Sequence, residues 1–87
     1  MATKKVSKER LSLLDEQQQY RQKIGKRYRE LREAFGLSQE RFANEYNLDR
    51  RHISRIESGA TNLKLDTLVE YIRPFNLPLS AFFADIS

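Results

Sequence analysis

Three arginines, Arg50, Arg51 and Arg55, fall inside the stretch Asp49-Arg-Arg-His-Ile-Ser-Arg-Ile-Glu-Ser-Gly59. A guanidinium presents its donors in a planar fork that matches the O6 and N7 of guanine, or two phosphate oxygens. On a helix turning ~100° per residue, Ile53 and Ile56 define an inward direction. Arg51, Arg55 and Ser58 then point almost straight away from it, with Ser54 beside them and Arg50 at the flank. Two arginines and two small hydroxyl residues on one ridge let the helix come close to a duplex, where an arginine can grip guanine or bind phosphate. Glu57 leans toward the inward side, where a carboxylate without a partner is costly. Charged outer faces are common on helices, so the ridge alone does not separate a DNA reader from a solvated surface.

Other chemistries find less support. His52 is the one histidine and sits beside the ridge, where a base or phosphate contact is open; with no cysteine, a thiolate or paired-histidine metal site cannot be assembled. Ser54 follows His52 by two residues, a spacing that turns two side chains apart on a helix. Glu30 and Glu33 read as a solvated helix edge. No acid, base, nucleophile or metal set converges, so neither an enzyme nor a cofactor is expected.

The elements that hold the arginine ridge follow from punctuation. Ile24, Tyr28, Leu31 and Phe35 recur at helical spacing, and Gly36 reads as the stop. Ser38 offers a cap for a helix from Gln39 to Tyr46, with Phe42, Ala43 and Tyr46 facing inward. Asn47 tolerates the left-handed backbone of a tight turn. Leu48 plugs that turn, and Asp49 caps a third helix from Arg50 to about Ser58, which Gly59 ends. After a polar loop, Leu65, Leu68, Val69 and Ile72 mark a fourth helix, ending or bending near Arg73 because Pro74 removes an amide donor. Pro78 can open a last short helix, Leu79 to Phe83. No strand-like alternation and no glycine-rich phosphate loop occur. The fold class is all-α.

Eighty-seven residues, 39% of them hydrophobic, make one small domain with a modest core. The net charge of +4 is uneven. Residues 1–35 hold ten Lys/Arg against five Asp/Glu, residues 36–63 balance, and residues 64–87 are slightly acidic. Residues 1–21 form a polar, basic extension, partly helical or disordered, and residues 22–87 form the domain. Ser7 can cap a helix in the extension. A polar gap after Leu14 leaves open whether that helix stands alone or is a frayed extension of the next. No apolar run approaches a membrane span, and no signal-peptide core follows the N-terminus; a cytoplasmic location fits.

The segments Gly36-Leu-Ser-Gln-Glu-Arg-Phe-Ala43 and Leu48-Asp-Arg-Arg-His-Ile-Ser-Arg-Ile-Glu-Ser-Gly59 resemble the helix-turn-helix of phage-repressor and Cro-type regulators, the XRE-like family. The match runs gaplessly from about Ile24 to Gly59 and resumes over Leu65–Phe83. The stretch Asn47-Leu-Asp-Arg is similar, more weakly, to the controller proteins of restriction–modification systems. The resemblance implies a compact five-helix bundle without enzymatic activity that binds double-stranded DNA. It implies base reading by Arg50, Arg51 and Arg55, with Arg50 able to serve phosphate instead. It implies phosphate contacts from Gln39, Ser54, Ser58 and Asn62, and a salt bridge between Arg32 and Glu57. Leu77, Leu79 and Phe82 read by themselves as cover for the small core, whereas Phe83 and Ile86 are harder to bury in a monomer; in similar regulators the C-terminal end forms a two-fold homodimer, which here assigns Leu79, Phe82, Phe83 and Ile86 to dimerisation. Two departures stand out: the turn usually carries Gly where this chain has Asn47, and Pro74 interrupts a position that is normally helical. The extension has three open readings: a basic arm on DNA, a segment packed on the partner subunit, or a loose end. A rival reading uses the same fold as an antitoxin or adaptor gripping a protein partner, a toxin or another regulator.

Overall fold

A computed structural model describes residues 2–60, 63–84 and 86, with side chains from Glu9 onward. Among them the order is α1 (Ala2–Ala34), α2 (Gln39–Tyr46), α3 (Arg50–Glu57), α4 (Leu65–Ile72), a 3-10 turn (Arg73–Phe75) and α5 (Leu79–Phe83), with no strand. The five α-helices and their order agree with the sequence reading.

The first helix is longer than its apolar stripe. It runs unbroken for 33 residues, so the extension is neither a separate helix nor set off by a break, and Ser7 lies inside it rather than ahead of it. Gln17, Gln18 and Gln19 remove a burial signal without removing helix propensity, and neither Gly nor Pro precedes Gly25. Asp15 accepts a bond from the Gln19 amide at 3.1 Å, one turn away. At ~1.5 Å per residue α1 accounts for the molecule's long dimension of 54 Å, against 25 and 20 Å across.

The caps act where the residue types place them. Ser38 accepts from the Arg41 amide at 3.2 Å, and Asp49 accepts from the Arg51 amide at 2.8 Å. Asn47 takes the left-handed conformation at φ 55°, which closes α2 and sends the Leu48 amide back to Ala43 O. An Asn thus makes the turn that Gly usually makes. Pro74 converts the end of α4 into the 3-10 turn, closed by a second left-handed residue, Asn76. Pro78 stands just ahead of α5 as its cap residue.

The core gathers Tyr28, Phe42, Ala43, Ile53, Ile56, Leu68, Tyr71, Ile72, Phe75 and Phe82. Phe42 stacks on Phe75, and Tyr28 meets both rings edge-on. The Tyr28 hydroxyl donates to Tyr71 O at 2.8 Å and ties α1 to α4. Burial, helped by the nearby Glu57 carboxylate, pushes that phenol far above its ordinary value, so it stays a donor. Arg27 reaches Phe82 O at 3.2 Å and ties α1 to α5.

Four residues sit differently from their expected places. Phe35 is partly exposed at the end of α1, although its ring still edges onto Phe42 and Phe75. Leu65 and Val69 face outward, because α4 turns Leu68, Tyr71 and Ile72 inward. Phe82 is fully buried inside its own subunit, so it cannot offer a surface for dimerisation. A five-residue helix has one inward position to close the base of the core, and Phe82 occupies it.

Candidate nucleic-acid interface

α3 is short, eight residues, and buries one side only: Ile53, Ile56 and Glu57 face inward. Arg50, Arg51, Ser54, Arg55 and Ser58 are all exposed on the other side. The Arg51 side chain is 90% exposed, and its guanidinium approaches the Asp49 carboxylate at 3.5 Å. The Arg51 amide, and then that guanidinium, hold the Asp49 carboxyl below its usual value. Ser58 Oγ donates to Arg55 O at 3.1 Å, which leaves its lone pairs outward at the end of the helix. Asn62 lies outside the described residues.

The inward carboxylate has the partners its position demands. Arg32 grips Glu57 through two parallel bonds, Nε to Oε2 at 2.7 Å and Nη2 to Oε1 at 2.9 Å. The Gln39 amide adds a third at 3.0 Å, and Arg29 Nε approaches Oε1 at 3.5 Å. Arg32 Nη1 donates to Leu37 O at 2.6 Å. Burial pushes the Glu57 carboxyl upward, but the bonds from Arg32 and Gln39 outweigh it and hold the group below its ordinary value. The bond to Glu57 in turn raises the Arg32 guanidinium. One ion cluster therefore locks α1, the start of α2 and the inner side of α3 together. Gln39, at the N-terminus of α2, is anchored by it beside the exposed ridge.

The sequence reading missed Arg29 and the Leu37 carbonyl in this cluster. Arg29 precedes Arg32 by three residues, one helical turn, and that spacing was the available signal. It also missed Tyr71. The Tyr71 hydroxyl accepts the Asp49 amide at 3.1 Å and lies 3.1 Å from His52 Nδ1. Nothing local to α4 announces this contact, since it depends on how α4 crosses the start of α3. Beside the ridge, Arg51, His52, Arg55 and Lys64 line an open cleft of about 440 Å³.

α1 crosses the other end of α3 closely. A Cβ at Gly25 would stand 2.4 Å from Ile56 O, so the helices meet backbone to backbone there. Among the described residues no group of acidic, histidine or cysteine side chains could hold a metal ion, and no helix is long and apolar enough to cross a membrane.

A short helix pair held at a fixed angle, with its second helix turning arginines outward, is a geometry for entering a groove. Comparison with known proteins supports DNA binding. A family model described as helix-turn-helix matches residues 29–82. The control protein C.MunI of Mycoplasma sp is 38% identical over 65 residues, covering 74% of this chain and 88% of that protein. No solved structure gives a significant match. The segment ahead of residue 29, which carries most of α1, lies outside the family match. With its all-α architecture, capped helix pair and outward basic ridge, this chain belongs to the XRE-type helix-turn-helix family of DNA-binding transcriptional regulators, and it is similar to a restriction–modification controller protein.

Proposed function

We propose that this regulator recognises a specific double-stranded DNA site by laying α3 in the major groove. The observation that carries the reading is the one-sided helix: Ile53 and Ile56 hold it to the core, while Arg50, Arg51 and Arg55 stand exposed. Arg51 and Arg55 read base edges, and Arg50, at the helix start, reads a base or holds a phosphate. Gln39, Ser54 and Ser58 meet the backbone. Binding as a homodimer presents two copies of α3 to half-sites about 34 Å apart, one turn of DNA. Half-buried Leu79, Phe83 and Ile86, with exposed Leu65 and Val69, supply the apolar surface for that pairing. The helix-turn-helix match and the similarity to a control protein support a regulatory role.

The test begins with selection of bound duplexes from random DNA, followed by titration of the selected site and a scrambled one. Arg51→Ala and Arg55→Ala are each expected to cost roughly 1–3 kcal/mol on the selected site and to relax base preference there. Gln39→Ala is expected to weaken both duplexes more evenly, with the salt dependence unchanged because the amide carries no charge. Its melting temperature is measured alongside, because Gln39 also supports Glu57. Equal affinity of the unaltered protein for selected and scrambled DNA ends the reading. Sedimentation that shows only monomer on and off DNA ends its dimeric part.

A further inference from the structure

We infer that His52 is an additional DNA-contacting residue, held by Tyr71 as a hydrogen-bond donor of fixed direction; the inference rests on the DNA reading above. Tyr71 is almost fully buried, and its hydroxyl has two partners among the described residues. The Asp49 amide donates into the hydroxyl oxygen, so the phenolic proton needs an acceptor, and His52 Nδ1 at 3.1 Å is the one in reach. A neutral imidazole that accepts at Nδ1 carries its proton at Nε2. The two rings meet edge to face, with centroids 5.6 Å apart, which orients the imidazole plane.

Nε2 lies across the ring from the anchored nitrogen. The side chain is 55% exposed and borders the cleft shared with Arg51, Arg55 and Lys64. A donor beside three cations suits an acceptor atom on the duplex, either a backbone phosphate oxygen or the edge of a purine. The Asp49 carboxylate, 4.0 Å from Nδ1, sits on the anchored side of the ring and leaves the Nε2 side to the cleft. Tyr71 is a positioning residue in this scheme: it never meets DNA but decides which nitrogen of His52 does.

The experiment uses the full chain and compares His52→Asn, His52→Gln and Tyr71→Phe on the selected duplex and its scrambled version. Asn can keep a group near the Nδ1 position but cannot reach the Nε2 position, whereas Gln places an amide donor there. His52→Asn is expected to lose about tenfold or more in affinity, as for a lost bond to a charged or strongly polar partner, and His52→Gln to retain most of it. A loss equal on both duplexes assigns the acceptor to phosphate; a loss confined to the selected site assigns it to a base. Nitrogen-15 chemical shifts of the imidazole report the tautomer without DNA. They are expected to show a bare Nδ1 and a protonated Nε2 in the unaltered protein, and a tautomer mixture in Tyr71→Phe. His52→Asn binding at full strength while Arg51→Ala binds weakly overturns this inference and leaves the DNA reading standing. Full-strength binding by both variants removes the assignment of DNA recognition to α3 itself. A wild-type spectrum with the proton on Nδ1, or His52→Gln as weak as His52→Asn, overturns the fixed-donor arrangement.

Discussion

Arg32→Ala is expected to destabilise the fold by roughly 3–5 kcal/mol, because it strands a buried carboxylate. The Glu57 side chain is 1% exposed, and Arg32 supplies two of its bonds while also capping the Leu37 carbonyl. Gln39 and the more distant Arg29 cannot replace that fork. Against a total of about 5–15 kcal/mol for a small domain, the loss is roughly a fifth of the stability or more, readable as the midpoint of urea unfolding. The same cluster predicts an acid dependence. Glu57 is held below its ordinary value, so its contribution is complete above the carboxyl range of the unfolded chain and is lost as pH falls through the folded value. Unfolding midpoints from neutral pH downward are expected to decline in the unaltered protein. In Glu57→Gln, less stable at neutral pH, that part of the slope disappears. An Arg32→Ala protein within about 1 kcal/mol of the original would show that the ion cluster is not what holds α3 to α1.

Gly25→Val is expected to cost about 3 kcal/mol or more, at or beyond the upper end of the usual range for overpacking. A Cβ there meets Ile56 O at 2.4 Å, Glu57 O at 2.7 Å and Glu57 C at 2.9 Å. These are backbone atoms in the last turn of α3, and they cannot swing aside as a side chain would. α1 must back away, which also pulls Arg32 from Glu57. Gly25→Ala gives the sharper sign. At an exposed helical position the change gains about 1 kcal/mol of helix propensity; here the clash outweighs that gain and the protein becomes less stable. Thermal unfolding of both variants settles the order, with Val below Ala and Ala below the original. A more stable Gly25→Ala would show that α1 and α3 do not meet closely. Because α1 sets the angle of α3, both variants are also expected to weaken DNA binding at temperatures where they remain folded.

The helix pair was legible in the chain because its determinants are local. Ser38 and Asp49 cap within three residues of themselves, and Asn47 chooses its own backbone region. Ile53 and Ile56 orient α3 by their spacing alone, and the outward direction of Arg51 and Arg55 follows from them. Glu57 leaning inward announced that a cation had to meet it, and the family resemblance supplied Arg32. The polar gap after Leu14 leaves the union of the two helices open in the sequence, because an apolar stripe reports burial, whereas helix continuity depends on propensity, and the glutamines sustain it.

Residue types and spacing by themselves determined the all-α class, the order of the five helices, the caps and the basic ridge, since each is decided within a turn or two of chain. Packing across the sequence decided the rest. Only when α4 crosses α3 does Tyr71 reach Asp49 and His52, only when α1 lies on the end of α3 does Gly25 become indispensable, and only the packing of α5 on α1 brings Arg27 to Phe82 O. Such contacts join residues 19 to 55 positions apart, and no local pattern encodes where two helices will touch.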